Sequence, residues 1–68
     1  MERIPVSSSN LASVGYEDGI LEIGFTSGAI YEYSGVPESV YEALMAAASH
    51  GKYFAAYIRN NYPYRKVR

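Results

Sequence analysis

The sequence predicts an α+β domain in which a three-stranded antiparallel β-meander is followed by two helices packed on one face. Residues 11–33 alternate apolar and polar side chains and are interrupted by Asp18-Gly19 and Thr26-Ser27-Gly28, which are typical of hairpin turns. Residues 37–60 instead repeat apolar side chains at helical spacing, with a break at Gly51. A chain of 68 residues has room for a single domain with a thin core.

The first two strands are predicted over residues 11–16 and 20–25. Asp18-Gly19 lies between them, and this dipeptide suits a two-residue turn because both positions tolerate positive φ. In the second strand Leu21 and its neighbours at alternate positions are apolar, whereas the opposite face carries Glu22. The alternation therefore predicts one buried and one mixed face.

The third strand is predicted over residues 29–33, and its register depends on the preceding turn. A two-residue loop would place Ile23 opposite Glu32, whereas a three-residue loop with Gly28 in the left-handed conformation places Ile23 opposite Tyr31. The longer loop keeps one face apolar, so we expect it. The predicted core face consists of Ala12, Val14, Tyr16, Leu21, Ile23, Phe25, Tyr31 and Tyr33.

The first helix is predicted over residues 37–49, since proline suits the first helical turn and glycine commonly follows the last. Gly51 is expected to end it, with His50 just before. A second helix is predicted over residues 52–60, where Phe54 and Ile58 lie one turn apart. Residues 62–68 are expected to form a basic C-terminal tail or a short edge segment.

Charge is divided unevenly along the chain. All seven acidic side chains lie in residues 1–51 together with Arg3, whereas residues 52–68 hold five basic side chains and no acid. Such polarity is typical of a nucleic-acid-binding tail or of two surfaces that attract each other within a fold or dimer. The net charge of −1 favours the second interpretation.

The predicted register places Glu22 directly opposite Glu32 on the outer sheet face, where like charges are unfavourable. We therefore expect basic groups to cover this pair. The candidates are Arg65, Lys66 and Arg68 of the same chain, the same residues of a second subunit, or a partner protein.

The sequence offers little for catalysis or for cofactor binding. It has no cysteine and one histidine, so thiolate chemistry is excluded and a metal site lacks ligands. A serine among residues 7–9 would need His50 as a base, and no third orienting group is identifiable. Gly51-Lys52 lacks the rest of a phosphate-binding loop. We predict no enzyme and no catalytic, cofactor-binding or metal-binding residues.

Four segments carry a resemblance to a known family. They are Val6-x-Ser8-Ser9-Asn10-Leu11, Val14-Gly15-Tyr16, Tyr31-Glu32-Tyr33-x-Gly35-Val36-Pro37 and Gly51-Lys52-Tyr53-Phe54. In combination and order they resemble the KTSC domain, whose hallmark is a Tyr-x-Tyr motif. The family takes its name from the C-terminal region of some lysyl-tRNA synthetases and also occurs as stand-alone proteins in bacteria and phages. The resemblance implies a family without an established activity.

We interpret the chain as a small binding module, because eight tyrosines exceed what a thin core can hide and tyrosine is enriched at interfaces. It is expected to associate with itself as a homodimer and with a protein partner, as a bacterial or phage modulator of a host protein. The alternative is RNA or tRNA binding by the basic, aromatic C-terminal segment. With no apolar leader at the N-terminus, a cytoplasmic location is expected. The candidate partner-binding residues are Ser8, Ser9, Asn10, Glu22, Glu32, Tyr57, Arg59, Tyr62, Tyr64 and Arg65.

Overall fold

The computed structural model describes residues 1–68 and contains one antiparallel sheet with two helices on one of its faces. The elements in chain order are β1 (Ile4–Pro5), β2 (Leu11–Glu17), β3 (Ile20–Phe25), β4 (Ile30–Tyr33), α1 (Glu38–Ala46), α2 (His50–Tyr57) and β5 (Tyr64–Lys66). The α+β class is confirmed. The predicted number of strands is wrong, because the sheet has five strands in the order β1-β2-β3-β4-β5.

The two additional strands lie at the edges of the sheet. β1 has two residues and pairs Ile4 with Val14, while β5 has three residues and pairs Tyr64 with Tyr33. Segments this short carry too few residues for alternation to reveal them. Of the two predictions for residues 62–68, the short edge segment is correct.

The predicted register of the central strands is confirmed. Asp18 and Gly19 have φ of 51° and 81°, as a two-residue turn with positive φ requires, and Gly28 has φ of 98°. Glu22 lies opposite Glu32, and Tyr31 lies opposite Ile23 on the inner face.

A bulge changes the start of β2. The pairing shifts between Leu11 and Ser13, so that Leu11 faces the core and is fully buried while Ala12 is exposed. The prediction that Ala12 belongs to the core was wrong. The shift is favourable because it buries a leucine in place of an alanine, which removes more apolar surface from water.

The helix boundaries also differ from prediction. α1 ends at Ala46, because Ala47 is extended, and α2 already begins at His50. Ser49 caps α2, with its side-chain oxygen accepting from the Lys52 N–H at 3.3 Å. Gly51 therefore lies inside the first turn of α2 and does not terminate α1. α2 ends at Tyr57, three residues earlier than predicted.

The core lies between the helices and the inner sheet face. Its nine buried side chains are Leu11, Val14, Leu21, Ile23, Tyr33, Val36, Leu44, Phe54 and Ile58. Phe54 makes edge-to-face contacts with Tyr33 and Phe25, at centroid distances of 5.4 and 5.6 Å. Neither helix has the length and apolar composition that a membrane crossing would require.

Candidate functional site

Eight of the ten residues predicted to bind a partner lie on three separate surfaces. Glu22, Glu32 and Arg65 are on the outer face of the sheet, which the helices leave uncovered. Ser8, Ser9 and Asn10 line a polar cleft beside α2. Arg59 and Tyr64 line a second, aromatic cleft at the β5 edge.

The outer sheet face carries a row of four charged side chains, Arg3, Glu22, Glu32 and Arg65, which we call the charge row. Arg3 Nη1 lies 2.5 Å from Glu22 Oε2, and Arg65 Nη2 lies 3.1 Å from Glu32 Oε1. Each carboxylate of the opposed pair thus has its own arginine. Among the candidates for covering the pair, the chain's own Arg65 binds Glu32, whereas Arg3, which binds Glu22, was not among them.

Two glycines make room for Arg3 on this face. A Cβ atom at Gly15 would lie 3.1 Å from Arg3 Cγ, and one at Gly24 would lie 3.3 Å from Arg3 Nε and 2.5 Å from Ser13 Oγ. Arg3 Nε also donates to Ser13 Oγ at 2.9 Å. The arginine therefore lies along the glycine-lined surface of β2 and β3, and Glu22 is only 7% exposed beneath it.

The polar cleft has a volume of about 570 Å³ and is lined by residues 7–10, residues 48–52 and Ala55. Two of the segments that carry the family resemblance meet here. A Cβ atom at Gly51 would lie 2.5 Å from Asn10 Oδ1, and Ser8 Oγ donates to the same oxygen at 3.1 Å. Gly51 thus permits the close approach of Asn10 to α2.

The His50 ring also lines the polar cleft, which brings it nearer to the serines than the sequence indicated. Its Nδ1 lies 2.9 Å from the Leu44 carbonyl oxygen, so Nδ1 must carry the proton in that bond. This carbonyl oxygen orients the ring at the end of α1, but it lacks the negative charge with which a carboxylate would make the ring more basic. No hydrogen bond joins the ring to a serine hydroxyl, and no three acidic or histidine side chains gather as metal ligands.

The aromatic cleft has a volume of about 440 Å³ and lies between the sheet and the turn that follows α2. Phe25, Tyr31 and Tyr64 form its sheet side, and Arg59 and Asn60 form the other. The Tyr64 ring lies 5.6 Å from the Tyr31 ring and is 60% exposed. The cleft combines aromatic surface with a guanidinium, which suits an apolar or aromatic group next to an anion.

The other predicted contact residues do not join this cleft. Tyr57 is 58% exposed and its ring lies 4.7 Å from that of Tyr53. Tyr62 is half-buried against the core, so it holds the chain that leads into β5. Lys66 was considered only as a cover for the pair of glutamates on the outer face, but it pairs with Tyr31 and therefore lies on the same sheet face as the cleft.

Tyr33 lies beneath Tyr64, at a centroid distance of 5.7 Å. Burial, together with the neighbouring phenols of Tyr31 and Tyr64, raises the pKa of Tyr33 above its ordinary value, while Arg59 acts in the opposite direction. The phenol therefore stays neutral and supports the cleft from below.

Comparison with known proteins gives consistent results. The family model of the KTSC domain matches residues 7–62. An uncharacterized protein of Stutzerimonas stutzeri is 48% identical over 56 residues, which cover 79% of each chain. A lysine–tRNA ligase of Nostoc is 43% identical over 47 residues, 69% of this chain but only 8% of the ligase.

A solved structure extends the likeness to three dimensions. The crystal structure of a KTSC domain protein from Yersinia pestis superimposes with a TM-score of 0.94 at 40% identity, covering 98% of this chain and 97% of that one. Because the superposition covers nearly the whole chain, it includes the edge strands β1 and β5. On the family match and these relatives, the chain belongs to the KTSC domain family.

Proposed function

We propose that the protein is a non-catalytic binding module that takes a protein partner at the aromatic cleft. The observation that carries the proposal is Tyr64, which is 60% exposed on an edge strand beside Tyr31 and Arg59. Tyrosine and arginine are the residue types that most often dominate interface energetics, because they bury a large area and keep polar tips for hydrogen bonds.

The hydrogen bonding of the other candidate groups supports a non-catalytic role. The proton on His50 Nδ1 is committed to the Leu44 carbonyl oxygen, and each carboxylate of the charge row is paired with an arginine. The Nε2 of His50 keeps a free lone pair, but a general base must also lie close to the proton that it removes, and no hydrogen bond joins this ring to a serine hydroxyl. The groups that sequence analysis considered for catalysis are therefore better suited to holding the fold.

RNA binding is the second candidate, and the composition of the cleft favours it specifically. The aromatic side chains of the cleft can stack on a base, while Arg59 and Lys66, which lies on the same sheet face, neutralise a phosphate. The lysine–tRNA ligase of Nostoc, which contains a similar segment, makes this candidate concrete. Against it stand the seven acidic side chains of a chain with net charge −1, which repel a long polyanion.

Self-association as a homodimer belongs to the same proposal. A core of nine buried side chains is thin, and small domains often gain stability from a second subunit. Met1 and Ile4 are 48% and 52% exposed near the β1 edge and offer apolar area for it. We place the protein in the cytoplasm, as a bacterial or phage modulator of a host protein, and sedimentation over a concentration series would measure its oligomeric state.

The proposal is tested by affinity capture from the native host with three matched baits. They are the wild type, a cleft variant carrying Arg59→Glu and Tyr64→Ala, and a control variant Tyr57→Ala that removes an exposed tyrosine outside the cleft. We expect one protein to be retained by the wild type and the control and lost by the cleft variant. A partner retained equally by all three baits would refute the assignment to this cleft. Co-purified RNA whose retention falls steeply with salt would favour the second candidate.

A further inference from the structure

We propose that the occupant of the aromatic cleft is an acidic, extended protein segment that adds to β5 as a sixth antiparallel strand. The inference rests on the proposed function and names the chemistry of the partner. It depends on three features of the β5 edge: its free main chain, its charge and the alternation of its side chains.

The main chain of β5 is unpaired on one side, because β5 is the last strand of the sheet. In an antiparallel ladder successive residues direct their N–H and C=O groups to opposite sides. Ser34 N–H donates to the Pro63 carbonyl oxygen, and Val67 N–H donates to the Ile30 carbonyl oxygen. Between Pro63 and Val67, Arg65 is therefore the residue whose main-chain N–H and C=O groups point towards β4. The main-chain groups of Tyr64 and Lys66 therefore point away from the sheet, where an added strand would pair.

The charge at this edge favours an acidic strand. Arg65 and Lys66 lie on β5 itself, Arg68 follows it, and Arg59 lines the adjacent cleft. Arg65 uses Nε and Nη2 to bind Glu32, so the two hydrogens on its Nη1 remain available. A carboxylate on a neighbouring strand can therefore bind Arg65 without displacing Glu32.

The same charges disfavour other occupants. Two copies of β5 paired about Arg65 would set arginine opposite arginine, which is unfavourable in cross-strand positions. A nucleic acid has no alternating N–H and C=O groups with which to continue the ladder. An acidic peptide segment satisfies both the exposed main chain and the cations.

Side-chain alternation predicts the order of residues in the occupant. Tyr64 lines the aromatic cleft, Lys66 lies on the same face of the sheet, and Arg65 lies on the opposite face in the charge row. An antiparallel strand meets these residues in the reverse order, so it would present a carboxylate beside Lys66, a second carboxylate beside Arg65 and a large apolar side chain beside Tyr64. The apolar side chain would then pack against Tyr64 at the rim of the aromatic cleft.

The probe is an eight-residue peptide, blocked at both ends, with a central glutamate, aspartate and phenylalanine in that order and uncharged residues on either side. Its binding is followed by amide NMR of the full chain. We expect shifts centred on β5 and on residues of the aromatic cleft. A control peptide with the aspartate and phenylalanine exchanged keeps the charge but turns the ring to the other face, and should bind at least about tenfold more weakly.

Two methylated peptides test the ladder itself. N-methylation at the glutamate or phenylalanine removes an N–H that faces β5 and should abolish binding, whereas N-methylation at the central aspartate removes one that faces away and should be tolerated. The variant Lys66→Glu should weaken the probe by about tenfold, and a peptide with lysine in place of the glutamate should restore it. Lys66 is exposed, so its exchange leaves the core intact.

Equal binding of the original and exchanged peptides, or equal loss on methylation at all three positions, would overturn strand addition. So would shifts that lie in the polar cleft, or binding of single-stranded RNA that displaces the probe. A captured partner that depends on Arg59 and Tyr64 but is unaffected by Lys66→Glu would sustain the proposed function and refute strand addition alone.

Discussion

Removing the arginine that lies over Glu22 is expected to destabilise the fold more than removing the arginine of the neighbouring pair. The substitution Arg3→Met keeps an unbranched side chain above Gly15 and Gly24 but removes the guanidinium. Glu22 is 7% exposed and would then lie opposite Glu32 without its cation. A buried carboxylate that loses its partner keeps the full cost of desolvation.

The magnitude follows from the burial of the two pairs. The side chains of Arg3 and Glu22 are 29% and 10% exposed, so the loss should be about 2 kcal/mol, between the values for exposed and fully buried pairs. The side chain of Arg65 is 77% exposed, and Arg65→Met should cost less than about 1 kcal/mol. With a urea m value of about 1 kcal/mol/M for so short a chain, Arg3→Met should lower the midpoint by about 2 M.

Urea unfolding of a double-mutant cycle tests this reasoning. Glu22→Gln removes the charge that Arg3 neutralises, so the double variant should recover at least about 1 kcal/mol relative to the sum of the single losses. Arg65→Met is the matched control on the same face. Equal midpoints for Arg3→Met and Arg65→Met, or strictly additive losses in the cycle, would show that the burial of Glu22 does not determine the cost.

Three further predictions concern the core and the polar cleft. Burial and two neighbouring phenols raise the pKa of Tyr33 in the folded chain, so the resulting stability is complete below pH of about 10 and is lost as the pH rises towards the folded value. Tyr33→Phe should therefore flatten the fall in melting temperature above pH 10, whereas Tyr57→Phe, at an exposed site, should not. Leu11→Ala should cost about 2–5 kcal/mol in urea unfolding, because the bulge buries this side chain fully. Gly51→Ala should fail to give the gain of about 1 kcal/mol usual inside a helix, because the new methyl meets Asn10, and adding Asn10→Ala should recover it.

The sequence predicted the centre of this sheet well, because its turns leave few alternatives. Asp18-Gly19 and Gly28 provide positive φ at the positions that set register, and a shift of one residue would have turned Glu32 into the core. The opposition of Glu22 and Glu32 followed from that register, and with it the need for covering cations. Local turn chemistry and one apolar face were sufficient.

Sequence reasoning failed where contacts between residues far apart in the chain determine the local structure. The bulge at Ala12 depends on which side chain the core accepts, and β1 and β5 form only because β2 and β4 offer free edges to short segments. Gly51 resembled a helix terminator, yet its contact with Asn10, 41 residues away, explains it. Ser49 was the local signal that could have placed the start of α2 correctly, since serine is a preferred N-cap.

The Tyr-x-Tyr motif shows how structure and recognition are joined at the β5 edge. Tyr33 is buried and Tyr31 is half-buried, so by register alone both belong to the core face. β5 then places Tyr64 against both rings, at 5.6 and 5.7 Å, which extends the buried aromatic cluster to an exposed surface. On the opposite face of the sheet, Arg65 binds Glu32, the middle residue of the motif, and so anchors β5, which forms the outer wall of the aromatic cleft. The two tyrosines of the motif therefore support the cleft from the inner face, and its glutamate holds the cleft's outer strand in place.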